Sequence, residues 1–230
     1  WPALLLGVAL GLGLNAKYAM VYFLLSVAAY LLAVPEKRRL LADARSYAAL
    51  AIGLLLIAPN LAWNAGNSFA TFSHTADNAN WGGQLFHPNK ALEFFGAQFG
   101  VFGPILFGSL LVICWRAWRT GLPEPDRLLL AFALPVIVLV TVQALLSRAH
   151  ANWAAVSYVS ATVLVTATMI REKAWRWLNG SLALHAVILG GIGLATAAAG
   201  TFRLPGGGDP FARTLGWRAL AEETAAALAE

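Results

Sequence analysis

Residues 63–93 read WNAGNSFATFSHTADNANWGGQLFHPNKALE. They form the long polar interruption in a chain that is otherwise a series of apolar runs. A connection of this length is far beyond the usual few residues and is commonly either functional or disordered. This one mixes Trp, Phe and Asn with His74, Asp77 and His87 and has no run of charge. That composition argues against plain disorder. The stretch is expected to be an ordered loop, 64–91, lying over one face of a membrane bundle.

The apolar runs on either side carry that expectation. The 230 residues are 59% hydrophobic and 12% charged, with a mean hydropathy of +0.67. A soluble domain carries about 25% charged residues. Runs rich in Leu and Ala and close to 20 residues long suit membrane-crossing helices; barrel strands would alternate in segments of about 10. The predicted class is an all-α integral membrane bundle. Spans are expected over about 2–14, 18–34, 46–63, 92–115, 128–146, 152–170 and 179–200, followed by a linker and an amphipathic helix over 201–230. Gly96, Gly100, Gly103 and Gly108 in the fourth run predict close helix approach there. Cys114 is the single cysteine, which excludes an internal disulfide framework and a cysteine-based metal site. The chain opens at Trp1 inside an apolar run, and it is expected to be part of a longer membrane protein that extends before Trp1 and after Glu230.

Charge gives an orientation. Lys37, Arg38, Arg39 and Arg45 share one connection; Arg116, Arg119 and Arg127 another; Arg171, Lys173 and Arg176 a third. Basic residues concentrate in cytoplasmic loops, and the three connections alternate correctly if all are cytoplasmic. The net charge of +5 therefore reads as membrane orientation, not as a nucleic-acid surface. Asn15–Tyr18, the loop 64–91, Ser147–Asn152 and the tail are then expected on the outer face.

Candidate chemistry gathers on that face. Lys17 lies at a break between two apolar segments. It is read either as a snorkelling interfacial lysine or as a functional cation. Arg148 and His150 lie in a second tight break, on the side where basic residues are depleted. Two cations at a bilayer surface suit a phosphate: Arg offers a planar fork, Lys a point charge. Asn152 is expected to cap the following helix and Trp153 to sit in the interfacial aromatic belt. His74, Asp77 and His87 could ligate a metal or exchange protons, but their spacing matches no specific ligand motif; no cofactor is assigned and a divalent metal stays open. Glu93 suits a helix N-terminus. Gln98, Gln143 and His185 are expected to be interhelical hydrogen-bond partners.

Four stretches together carry a resemblance: Gly11–Tyr18 (GLGLNAKY), Pro59–Asn64 (PNLAWN), Phe95–Gly100 (FGAQFG) and His150–Ala155 (HANWAA). With the tail Asp209–Trp217, and in order and hydropathy along nearly the whole chain, they resemble bacterial membrane glycosyltransferases of family 39. These are relatives of protein O-mannosyltransferases and of aminoarabinose transferases of lipid A, within the GT-C superfamily. The resemblance implies a multi-pass enzyme of the bacterial cytoplasmic (inner) membrane with a periplasmic active face. It would transfer a sugar from a polyprenyl-phosphate carrier to a lipid, glycan or protein acceptor. It implies a donor-phosphate role for Lys17 and Arg148 and a substrate-facing role for Tyr18, His150, Asn152 and Trp153. The long loop, with His74 and Asp77, would shape the sugar and acceptor cavity. The family's catalytic carboxylate is implied upstream of Trp1, so this stretch alone is expected to be inactive.

Two other readings are open. A transporter or flippase for a lipid-linked or anionic substrate would place ionisable residues near mid-span and show repeat symmetry; apart from His185 neither is seen. A non-catalytic scaffold would not need polar motifs gathered on one face. No nucleotide-binding glycine loop, zinc-protease motif or nucleophile elbow is present, and Gly206-Gly207-Gly208 reads as linker.

Overall fold

The computed structural model describes residues 1–80, 84–201, 203, 206 and 208–228. Among the described residues all regular structure is helical. The helices are α1 (Pro2–Ala16), α2 (Tyr22–Ala33), α3 (Ala44–Gly66), α4 (Ala70–Ala79), α5 (Pro88–Val101), α6 (Pro104–Thr120), α7 (Glu124–Ala131), α8 (Leu134–Leu146), α9 (Ser157–Arg171), α10 (Trp175–Ala197) and α11 (Trp217–Ala227). Short 3-10 turns cover Tyr18–Val21, Pro35–Ala42 and Ala151–Ala154. The chain forms two compact units, Trp1–Trp177 and Leu178–Glu230.

In the first unit α1 and α3 make the most extensive contact. The reason is the absence of side chains. A Cβ added at Gly7 would lie 2.7 Å from the Ala49 carbonyl oxygen, and one at Gly11 would lie 2.5 Å from Leu56 Cβ. Gly53 faces them from α3, its own added Cβ meeting Leu10 and the Gly7 carbonyl. Gly7 and Gly11 are four residues apart, so they lie on one stripe of α1 and let the two backbones approach. Asn15 extends the same stripe, donating to the Leu56 carbonyl at 3.0 Å.

The close approach expected at the glycines of the fourth run lies here instead. A Cβ at Gly96, Gly100 or Gly108 would meet nothing within 4 Å. Gly103 has another use: its φ of +88°, followed by Pro104, ends α5. Proline offers no N–H to continue a helix and its ring clashes with the preceding turn. The run expected as a span over 92–115 is therefore built from two helices, α5 and α6, bent by 117° at the break.

By length and composition α3, the α7–α8 segment Glu124–Leu146 and α10 can each cross a membrane, and the bent α5–α6 pair adds a fourth if it counts as one span. α1 and the helix over Tyr18–Ala33 are apolar but shorter; at 1.5 Å per residue the 15 residues of α1 cover about 22 Å of a core about 30 Å thick.

The three basic connections meet at one end of this unit. Glu124 accepts from the Tyr30 hydroxyl and pairs with Lys37 at 3.3 Å. Buried Asp126, in the first turn of α7, pairs with Arg171 at 2.6 Å. Arg116 pairs with Glu172 at 2.5 Å. Asp43 caps α3 by accepting the Arg45 N–H, and the Arg45 side chain beside it holds the Asp43 carboxyl down to about 2.

The second unit contains most of α10 and the tail helix. His185 contacts the Ser181 carbonyl oxygen at 2.7 Å and its hydroxyl at 3.3 Å. Its partner is thus one turn back on its own helix and not on a neighbour, as the i, i+4 spacing allows. The tail contains a helix, α11, with an exposed Arg218–Glu222 pair. Of the expected linker, residues 202, 204, 205 and 207 lie outside the described residues.

Two glycine substitutions test the α1–α3 contact, read by thermal or denaturant unfolding of the purified full-length protein. Gly7→Ala is expected to destabilise by about 1–3 kcal/mol, since the added methyl must displace backbone. Gly96→Ala, placed in open space on a helix, is expected to be neutral or stabilising by up to about 1 kcal/mol.

Candidate functional site

The end of the first unit opposite its basic connections is organised by α4, which lies within residues 63–93. Its start is set by Asn64. That side chain is fully buried near the end of α3, and both its amide nitrogen and its carbonyl oxygen are hydrogen-bonded. Its amide donates to the Tyr18 hydroxyl at 3.1 Å and to the Asn60 carbonyl at 3.0 Å, and its carbonyl accepts the Thr71 N–H at 3.1 Å. The Tyr18 hydroxyl donates in turn to Asn60 Oδ1. A buried polar side chain is tolerated only when satisfied in this way. The Tyr18 ring stacks on Phe72 of α4, with centroids 5.1 Å apart.

Between α3 and α4 the chain turns through Ser68 and Phe69, both in the left-handed region with φ of 54° and 53°. Non-glycine residues there cost about 1–3 kcal/mol each and persist when their surroundings fix them. Here the Phe69 N–H donates to the Asn64 carbonyl at 2.8 Å, and the Phe69 ring meets Phe72 edge-on.

The other end of α4 is gripped by the stretch that closes α8. Arg148 donates from Nε to the Asn78 carbonyl at 3.1 Å and from Nη2 to that of Asp77 at 3.4 Å. Gln143 donates to the Ala79 carbonyl at 3.1 Å, and Ser147 to that of Asn80 at 2.6 Å. The last carbonyls of a helix lack partners within it. Three side chains supply partners to four consecutive ones, and the guanidinium also offsets the negative end of the helix dipole. Arg148 carries five N–H donors, and among the described residues only Nε and Nη2 make hydrogen bonds.

The residues predicted from sequence are thus partly brought together. Lys17 immediately precedes Tyr18, on extended backbone at the end of α1, and its ammonium makes no ion pair among the described residues. Tyr18 and Arg148 hold the same helix at Phe72 and Asp77, about 8 Å apart along its axis. His74 and Asp77 are exposed on α4, with His74 Nε2 3.1 Å from the Asn78 amide. His150 and Trp153 contact each other edge to face at 5.3 Å. Asn152 is exposed inside a 3-10 turn and caps nothing: neither that turn nor α9 has a side-chain cap, because the helix proper starts five residues later. His87 stands at the start of α5, its N–H bonded to the Leu145 carbonyl. Among the described residues no three His, Cys, Asp or Glu side chains gather as metal ligands. Residues 81–83 of the loop lie outside the described residues.

Gln98 does what was expected of it. Fully buried, it donates to the Ala151 carbonyl at 3.3 Å and accepts the Tyr158 hydroxyl at 2.5 Å, joining α5 to α9 and to the turn that carries Trp153. Gln143 likewise bridges two helices, from α8 to the last carbonyl of α4. Asn60, Asn64 and Ser147 were not singled out from sequence. The available signal was the i, i+4 pair Asn60/Asn64 in an apolar helix, where amides need partners.

The model of the dolichyl-phosphate-mannose-protein mannosyltransferase family matches residues 1–63, which include Lys17, Tyr18 and Asn60. Lipid A galacturonosyltransferase RgtD of Rhizobium johnstonii is 35% identical over 228 residues, covering 99% of this chain and 47% of that protein. Both similarities support a place for the chain among the GT-C glycosyltransferases. It spans about half the length of the curated relative it matches, and no solved structure matches it. The similarity to this GT-C relative runs on through α4 and the 143–153 stretch, so it takes in both grips on α4.

Asn64→Leu is expected to destabilise by about 1–3 kcal/mol by stranding buried partners, and to raise amide hydrogen exchange across 70–80. Asn67→Ala, whose exposed side chain bonds only the Trp63 carbonyl, is expected to shift stability by less than about 0.5 kcal/mol.

Proposed function

We propose that the chain forms the donor-phosphate side of a membrane glycosyltransferase. The full-length protein moves a sugar from a polyprenyl-phosphate carrier to an acceptor on the periplasmic face of the inner membrane, and the seven apolar runs cross that membrane. The observation that carries this reading is chain-long identity to a lipid A galacturonosyltransferase. It is supported by Tyr18 and Arg148 holding one helix at the end away from the basic connections, with Lys17 next to Tyr18 in the chain. The relative's name makes a uronic acid the first donor sugar to try and lipid A the first acceptor.

In the proposed reaction the bond from the sugar's anomeric carbon to the carrier phosphate breaks, and an acceptor oxygen takes its place. Charge develops on the departing phosphate. Cations already fixed in place stabilise it without reorganisation. Lys17 supplies a point charge, and Arg148 supplies the N–H groups that α4 does not use. The base that removes the acceptor's proton is a carboxylate outside this stretch. Tyr18, His74, Asp77, His150, Asn152 and Trp153 face the sugar and acceptor.

The test follows loss of labelled polyprenyl-phosphate sugar in vesicles carrying the full-length protein. Lys17→Ala and Arg148→Ala are each expected to lower turnover by about 10²-fold while the protein stays inserted and folded. Donor consumption that neither variant changes removes both phosphate assignments. Failure to consume any lipid-linked sugar moves weight to the transporter reading.

A further inference from the structure

At the opposite end, α6 and α9 leave between them a groove of about 700 Å³. Ile105, Gly108 and Val112 line it from α6, Val165 and Met169 from α9, and Trp177 closes its end. It runs from Pro104, at the bend, to Arg116. That is about 18 Å of helix, close to one leaflet's share of a hydrocarbon core about 30 Å thick. Apart from the hydroxyls of Ser109 and Thr168, the lining is apolar until its last turn, where the Arg116–Glu172 pair spans from one helix to the other.

Beyond that pair the surface is basic and aromatic. The segments 115–119 and 172–177 carry Arg116, Arg119, Lys173 and Arg176 against Glu172 alone. The Arg119 guanidinium lies 5.9 Å from the Trp115 ring and 6.0 Å from that of Trp118, and Arg176 lies 5.6 Å from the Trp177 ring. Trp with Arg or Lys marks the headgroup level of a bilayer. The sequence from apolar groove to aromatic ring to cation repeats, in order, the chemistry of a phospholipid from chain to headgroup. A second protein would not require that the apolar part be one leaflet long.

The geometry points to a binding site for an anionic phospholipid of the leaflet on the basic side, with one acyl chain along α6 and α9 and its phosphate at Arg116. Basic pockets between membrane helices on the cytoplasmic side take such headgroups. Arg116 keeps N–H donors beyond the one given to Glu172, and the Glu172 carboxylate holds the guanidinium across the mouth while itself repelling the phosphate. This site is separate from the transfer site and does not depend on which sugar is moved.

The full-length protein in detergent is titrated with phosphatidylglycerol and, separately, phosphatidylcholine of the same chains, and bound lipid is counted by native mass spectrometry. Wild type is expected to hold the anionic lipid at least about fivefold more tightly. The paired change Arg116→Gln with Glu172→Gln leaves net charge unaltered, so a general field would persist; the preference is expected to fall to about onefold, and Arg116→Lys to keep most of it. Gly108→Leu extends into open space on the groove floor and is expected to weaken both lipids. Equal binding of the two lipids by wild type overturns the proposal, as does a preference that survives the paired change.

Discussion

At Gly7 and Gly11 the backbone of α1 lies against α3 with no side chain between them, and the polar end of the first unit is built on that contact. Because the two helices run in register, each turn of α1 meets the turn of α3 about 43 residues later. Asn15 reaches the Leu56 carbonyl and Tyr18 reaches Asn60 and Asn64. A methyl group in the contact would push the helices apart at the level where the hydrogen bonds require about 3 Å. Packing in the apolar part thus sets polar geometry at the end, in the way that small residues allow short interhelical distances where water is absent.

α4 is the second consequence. A ten-residue helix is marginal by itself, and this one starts from two residues in left-handed backbone. It is held because both its ends are satisfied from outside: Asn64 and Tyr18 at the first, Arg148, Ser147 and Gln143 at the second. The grips come from α3 and α8, which share little contact otherwise, so α4 ties two parts of the bundle together. A guanidinium held by helix carbonyls also has a fixed orientation, the condition under which a cation acts on a reacting phosphate without first being ordered.

The two polar ends of the unit differ in kind. The basic end uses its charges in pairs, including a buried one at Asp126, and presents the surplus beside tryptophans. The other end holds few charges and satisfies itself with amides, hydroxyls and backbone carbonyls. A surplus of cations beside an apolar groove suits a lipid headgroup.

The sequence by itself determined the all-helical membrane class, the family resemblance, and the division of polar residues into two groups, because each is a sum over neighbours along the chain: hydropathy over a span, charge in a connection, a short motif. It also exposed Gln98 as an interhelical partner, since an amide in an apolar run must find one. What it could not decide is which glycines make contact, where a long apolar run bends, and what Arg148 touches. Gly7 and Gly96 look alike in sequence, yet one lies against backbone and the other faces open space. Arg148 reads from sequence as a phosphate-binding cation in a tight break, but its partners in the fold are backbone carbonyls 70 and 71 residues earlier. Carbonyls are common to every residue and leave no mark on composition, so only the folded arrangement of α4 against α8 could assign them.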